Sequence, residues 1–219
     1  MTKVAVVLSG CGVYDGSEIH EAVLTLLALD RAGAAYECLA PNIPQMHVVN
    51  HLTGEVAEGE SRNVLVESAR IARGKVRDVA GANAADYDAL IFPGGFGAAK
   101  NLCDFAVRGA ACSVQPDVLR FASAIAHADK PIGFVCIAPA MIPRIYGEGA
   151  QLTIGDEAET AAAIEAMGGV HVTCPVRDFV VDERLKVVST PAYMLAERIG
   201  EAAEGIEKLV AKVLELARG

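Results

Sequence analysis

Short stretches without a single polar side chain, set between longer segments of helical periodicity, leave this chain few ways to fold. Val4–Leu8, Ala89–Phe92 and Ile132–Val135 are such stretches. Apolar and polar residues do not alternate along them, so neither face of the strand they form is meant for water. A strand buried on both faces belongs in a parallel sheet covered by helices. Tyr36–Ala40, closed by Pro41 and Pro44, reads as another strand, and Leu152–Ile154, His171–Thr173, Phe179–Asp182 and Lys186–Val188 as shorter ones. The periodicity predicts a helix from Ser17 to Arg31, with Ile19, Ala22, Val23, Leu26 and Leu27 on the repeating positions and Gly33 just past the stop. Further helices are predicted over Asn63–Ala72, with Ser61 as a candidate cap, and over Pro116–Ala128, Ala158–Met167 and Ala192–Ala217. Residues 42–62 lack a clear period, and 101–115 reads as an insertion. No repeat, low-complexity segment or linker interrupts the pattern. The expectation is one α/β domain over residues 1–219.

Composition narrows the function classes. The 219 residues are 53% hydrophobic. A chain of this size buries roughly 70% of the surface its unfolded form exposes, so its core needs neither disulfide nor metal. The formal charge of −9 has the wrong sign for nucleic acid or an anionic membrane surface. No apolar run approaches the ~20 residues of a bilayer-crossing helix, and the run after Lys3 is too short for a secretion signal. Six cysteines, at 11, 38, 103, 112, 136 and 174, form no CxxC pair, and neither they nor the five histidines have zinc-site spacing. Reduced thiols in the cytoplasm, with no metal, are the expectation.

In doubly wound sheets, sites form beyond the carboxyl ends of the strands. Three of these ends carry unusual sequence: Ser9-Gly10-Cys11-Gly12, Pro93-Gly94-Gly95, and Cys136. A thiol between a buried strand and a helix start sits on a tight turn with N–H groups aimed at it. That arrangement lowers a thiol pKa and exposes the sulfur, as in a nucleophile elbow; the plain alternative is a buried cysteine at a strand end. Pro93-Gly94-Gly95 offers close backbone approach, and its N–H groups are candidates for holding an oxyanion beside Cys136. Gly10-Cys11-Gly12 is not a dinucleotide fingerprint, because Asp15 stands where the third glycine belongs.

Glu18 and Glu21 open the first helix, three residues apart on one face. Such residues commonly complement the helix dipole. A carboxyl turned inward would instead be held neutral by desolvation, able to donate to a thiolate or relay a proton. Among the histidines, His20 ranks first as a base, although it points roughly 100° away from Glu21 on a regular helix.

Together LSGCGVYDGSEIHEAV, NHLTGE, PGGFGAAKNL, GFVCIAPAM and STPAYM resemble the PfpI-like branch of the class I glutamine amidotransferase-like superfamily, and within it the ElbB group. The resemblance spans essentially the whole chain. It implies a flavodoxin-like three-layer α/β/α sandwich with a mostly parallel sheet, and a nucleophilic Cys136 with an oxyanion hole from the N–H groups of Gly95 and Ile137. Glu21 is implied as the acidic partner, with Glu18 as the alternative register; His20 and Glu18 are supporting candidates. Two departures stand out. The His-x-Glu of glutamine amidotransferases is replaced by Ser189-Thr190-Pro191-Ala192-Tyr193, and Ile137 stands where some relatives place a histidine after the cysteine. The resemblance therefore implies a cofactor-independent glyoxalase acting on a small dicarbonyl, glyoxal or methylglyoxal. The competing class is a redox-responsive or regulatory protein linked to isoprenoid metabolism. A homodimer is a further expectation.

Overall fold

The computed structural model describes residues 1–219. Seven strands form the central sheet: β1 (Lys3–Val7), β2 (Ala35–Ala40), β3 (Val76–Asp78), β4 (Ala89–Phe92), β5 (Ile132–Val135), β6 (Val180–Asp182) and β7 (Val187–Thr190). Their order is β6-β7-β5-β4-β1-β2-β3, and every pairing is parallel except the β6–β7 hairpin at one edge. Setting aside the three-residue edge strand β3, the parallel strands lie in the order 2-1-3-4-5 of a flavodoxin-like sheet. The direction of winding reverses between β1 and β4. That is where such a sheet opens a crevice.

Alternate residues of the apolar strands feed two cores. Val4, Val6, Ala89, Ile91 and Val188 face α1 (Ile19–Arg31), α2 (Val64–Ile71) and α5 (Ile199–Arg218). Ala5, Val7, Leu90, Phe92, Ile132 and Phe134 face α3 (Pro116–His127) and α4 (Ala158–Ala166). The result is the expected sandwich, with helices on both faces of a mostly parallel sheet. Gly133 lets α5 close on the sheet: an added Cβ would stand 2.9 Å from Leu209 Cδ2.

Several local readings are corrected. On α1 the buried residues are Glu21, Ala22, Thr25, Ala28 and Leu29, whereas Ile19, Val23 and Leu27 face solvent. The apolar repeat is right for Ala22 and Leu26, which lie on or against the core, but includes three outward residues because a glutamate and a threonine belong to the inner face. Asn63, not Ser61, caps α2: its Oδ1 accepts the Val66 N–H at 3.1 Å. Residues 42–62 hold a small hairpin of Val49–Asn50 with Glu55–Val56. The insertion contains a short helix, Phe105–Arg108, and is pinned by a Cys103–Val114 bridge. The last predicted helix is broken after the Ala192–Met194 turn and restarts at Ile199.

Candidate active site

β5 ends at Val135, and Cys136 turns the chain with φ at 62°. A residue with a side chain occupies this left-handed region only when its surroundings hold it there. The Cys136 N–H, donated to the Thr190 carbonyl at 2.9 Å, is part of that hold. A 3₁₀ turn over Ala138–Met141 follows at once, leaving the sulfur between strand and helical turn. The N–H groups of Gly95 and Ile137 lie on the side of the sulfur, where they favour its ionised form, and neither is taken by a backbone carbonyl.

Glu21 arrives from the opposite side of the crevice. Glu18 caps α1, its carboxylate accepting the Glu21 N–H at 2.7 Å. The Glu18 N–H donates in turn to the Gly94 carbonyl at 2.9 Å. These two bonds fasten the start of α1 to the loop after β4 and turn the next glutamate inward. Glu21 is fully buried. Its Oε1 accepts the Tyr193 N–H at 3.1 Å, while Oε2 is enclosed without a hydrogen-bond partner. Oε2 and the Cys136 Cβ both press on Gly94, where an added Cβ would collide with each of them and with the Val135 carbonyl. Only glycine fits there.

An ionised carboxylate in this place has lost its water, and burial pushes the Glu21 carboxyl up to about 8, with the charge of Glu18 acting in the same direction. The Tyr193 N–H opposes the rise without cancelling it. Burial also pushes the Cys136 thiol up, and an ionised Glu21 adds to the rise, while the Gly95 and Ile137 amides pull it down. Two anions are not tolerated side by side in such a space, so thiol and carboxyl titrate as a coupled pair from which the doubly ionised state is excluded. At neutral pH Glu21 is protonated. Its charge then no longer opposes a thiolate, and its proton becomes a donor toward sulfur. The exposed, acidified thiol expected from the turn alone is corrected here: Cys136 is only 7% exposed and burial dominates its titration.

Above the sulfur lies a half-open cavity of about 370 Å³. Cys136, Gly95 and Ile137 form its floor; Glu18, Phe96, Phe105, Thr160, Tyr193 and Met194 are among its walls. Glu21 sits beneath the floor rather than on the cavity surface. His20 is exposed and outside the cavity, with Nδ1 2.8 Å from the Tyr193 hydroxyl. No histidine lines the cavity. The other four lie elsewhere: His51, for example, is held between the Tyr14 N–H and the Val49 carbonyl. Sequence reasoning missed Tyr193 as the carboxyl's hydrogen-bond partner. The segment STPAYM carried the signal, but it was read for the histidine it lacks.

No family model matches the chain. A human protein named glutamine amidotransferase-like class 1 domain-containing protein 3, mitochondrial, is 51% identical over 223 residues, covering 98% of this chain and 83% of the relative. The zebrafish ES1 protein, mitochondrial, is 34% identical, covering 96% of this chain and 87% of its own length. Among solved structures, an isoprenoid biosynthesis protein with an amidotransferase-like domain from Ehrlichia chaffeensis superposes with a TM-score of 0.90 at 39% identity, covering 97% of this chain and 99% of that one. A glyoxalase III from Candida albicans has a TM-score of 0.61 at 14% identity over 96% and 97% of the two chains, a likeness of fold alone. The cytoplasmic expectation is overturned by the human, rat and zebrafish relatives, all named as mitochondrial. Unpaired thiols separate reducing from oxidising compartments; they do not tell one reducing compartment from another. At this identity and coverage, and with the same fold, the chain belongs to the glutamine amidotransferase-like class 1 family.

Proposed function

We propose that the site is a cofactor-independent glyoxalase of the ElbB-like branch, converting glyoxal to glycolate and methylglyoxal to lactate within one functional domain. The observation that carries this reading is the fully buried Glu21 carboxyl beside Cys136, with no histidine in the cavity. A thiol paired with a protonated carboxyl suits proton transfer between adjacent carbons; it lacks the imidazole that expels ammonia from glutamine. The fold supports the reading by analogy, since a glyoxalase III shares it.

The chemistry balances within the substrate. Cys136 sulfur bonds to the aldehyde carbon, and the oxygen of that carbonyl takes the Glu21 proton, giving a hemithioacetal and a Glu21 carboxylate. The carbon now attached to sulfur brings its hydrogen to the carboxyl facing that sulfur. Glu21 removes this hydrogen as a proton, and the electron pair forms an enediolate whose oxygen the Gly95 and Ile137 N–H groups stabilise. The remaining hydroxyl proton passes from one oxygen to the other, and Glu21 returns its proton to the neighbouring carbon. The aldehyde carbon has become a thioester and the second carbonyl an alcohol, so one carbon is oxidised as the other is reduced. Water then attacks the thioester, giving one proton to Glu21. The carbon–sulfur bond breaks, restoring the Cys136 thiolate and releasing the hydroxy acid.

The test is turnover of glyoxal and methylglyoxal by the purified protein beside Cys136→Ala. Product exceeding one equivalent per thiol, with the variant at background, is the expected result. Consumption of one equivalent and then arrest would leave the thiol a sensor, the competing class, and would end this reading.

A further inference from the structure

Glyoxal and methylglyoxal leave most of the cavity unfilled. The cavity measures about 370 Å³, whereas about 150 Å³ suffices to hold benzene in an apolar protein cavity. Nine of its twelve lining residues are hydrophobic, and no lysine or arginine is among them. Phe96, 47% exposed at the rim, and Phe105, half-buried on the short helix of the insertion where one side packs against the core, supply aromatic surface to the cavity. A cation close to the rim has a partner outside the cavity: Lys100 Nζ donates to the Tyr14 carbonyl at 2.9 Å and lies 5.4 Å from the Phe96 ring centre. Apart from Cys136 and Tyr193, Glu18 is the sole ionisable side chain on the wall.

Resting on the glyoxalase reading, we infer that this site is shaped for 2-oxoaldehydes carrying an uncharged apolar substituent of about the size of a phenyl ring. The dicarbonyl occupies the floor, and the substituent lies between Phe96 and Phe105. Removing an aromatic ring from water into such a wall favours binding in proportion to the apolar area covered. A substituent bearing carboxylate or phosphate meets no cation on the cavity lining, since Lys100 lies outside it against the Tyr14 carbonyl, and it faces Glu18, so its desolvation is poorly compensated. Phe96 and Phe105 are specificity residues in this arrangement, remote from the proton transfers.

The experiment compares kcat/KM for glyoxal, methylglyoxal, phenylglyoxal and 4-carboxyphenylglyoxal, each corrected with Cys136→Ala. Phenylglyoxal is expected to exceed glyoxal by at least about tenfold, which corresponds to about 1.4 kcal/mol. Carboxyphenylglyoxal is expected at least about tenfold below phenylglyoxal. Phe96→Ala and Phe105→Leu should each shrink the phenylglyoxal-to-glyoxal ratio, with melting temperature recorded to show that the fold is kept. Cys136-dependent turnover with a ratio near one, or one favouring glyoxal, overturns the inference and leaves the glyoxalase reading standing. A ratio that survives both phenylalanine variants overturns the assignment of the wall. No Cys136-dependent turnover of any of the four compounds removes the reading itself, and the inference with it.

Discussion

At the floor of the cavity and just beneath it, Cys136, Glu21 and Gly94 are fixed by a hydrogen bond across the sheet, a helix cap and a collision that only glycine avoids. At its wall, Phe96 sits in the loop after β4, its N–H donating to the Val13 carbonyl at 2.8 Å, and Phe105 on the short helix of an insertion fastened locally by a bridge between Cys103 and Val114 and by the Asp104 carboxylate accepting the Ser113 N–H at 2.6 Å. The floor is polar, buried and crowded. The wall is apolar, partly wet and roomy. On the proposed reading, the difference teaches that chemistry is assigned to the strand ends, where position is over-determined, and selection among substrates to the loops and insertion around them.

The sharpest way to break this division is at Glu21. Glu21→Gln keeps volume and an acceptor for the Tyr193 N–H but removes the titrating proton. Turnover should fall by at least about 100-fold, the scale of a positioned acid–base group. Stability moves the other way at high pH. Glu21 titrates at about 8 in the fold, against about 4.3 in an unfolded chain. Between these values the unfolded chain binds fewer protons than the folded one, so wild-type stability falls as pH rises through that window and levels off above it. Denaturant midpoints from pH 4 to 9 should show this slope in wild type and its flattening in Glu21→Gln. A steep slope in the variant would mean another group carries it.

Gly94→Ala attacks the same floor by crowding alone. The added carbon meets Cys136, Glu21 and the Val135 carbonyl, and overpacking of this kind costs about 1–3 kcal/mol. Activity should be lost along with that stability, because sulfur and carboxyl are pushed apart. Gly81→Ala, where an added carbon meets nothing, serves as the comparison and should change neither melting temperature nor rate. Equal behaviour of the two variants would contradict the packing described for Gly94.

The smallest effect is expected from Glu18→Ala. Losing the cap on the Glu21 N–H should cost about 1 kcal/mol of stability. Turnover should fall much less than in Glu21→Gln, since Glu18 supports the start of α1 and carries no proton in the reaction. A rate as low as that of Glu21→Gln would transfer the acid's role to Glu18.

How much of this was legible in the sequence follows the same line. Strands β1, β4 and β5 announced themselves because they are buried on both faces, and the turns at their ends pointed to Cys136 and Gly95. The inward glutamate was legible only as one of two, because spacing does not say which carboxyl caps the helix and which turns in. Tyr193 was not legible in its role, since its contribution to Glu21 is a backbone N–H that any residue but proline could supply. The edge strand β3 was missed for a related reason: Val76-Arg77-Asp78 has no apolar run, and pairing with Cys38–Ala40 of β2 alone makes it a strand. The cavity wall depended on where the insertion folds back, which no local pattern records.

The bond from the Tyr193 N–H to Glu21 joins residues 172 positions apart. Until the turn after β7 has formed, the carboxyl lacks the partner that orients it, although Cys136 already lies on the chain. Assembly of the reactive pair therefore awaits one of the longest loop closures in the molecule. A growing chain on the ribosome carries an ordinary thiol until nearly its whole length has emerged. In the finished protein the bond depends on the Ala192–Met194 turn, a segment that follows the sheet's last strand rather than pairing within it.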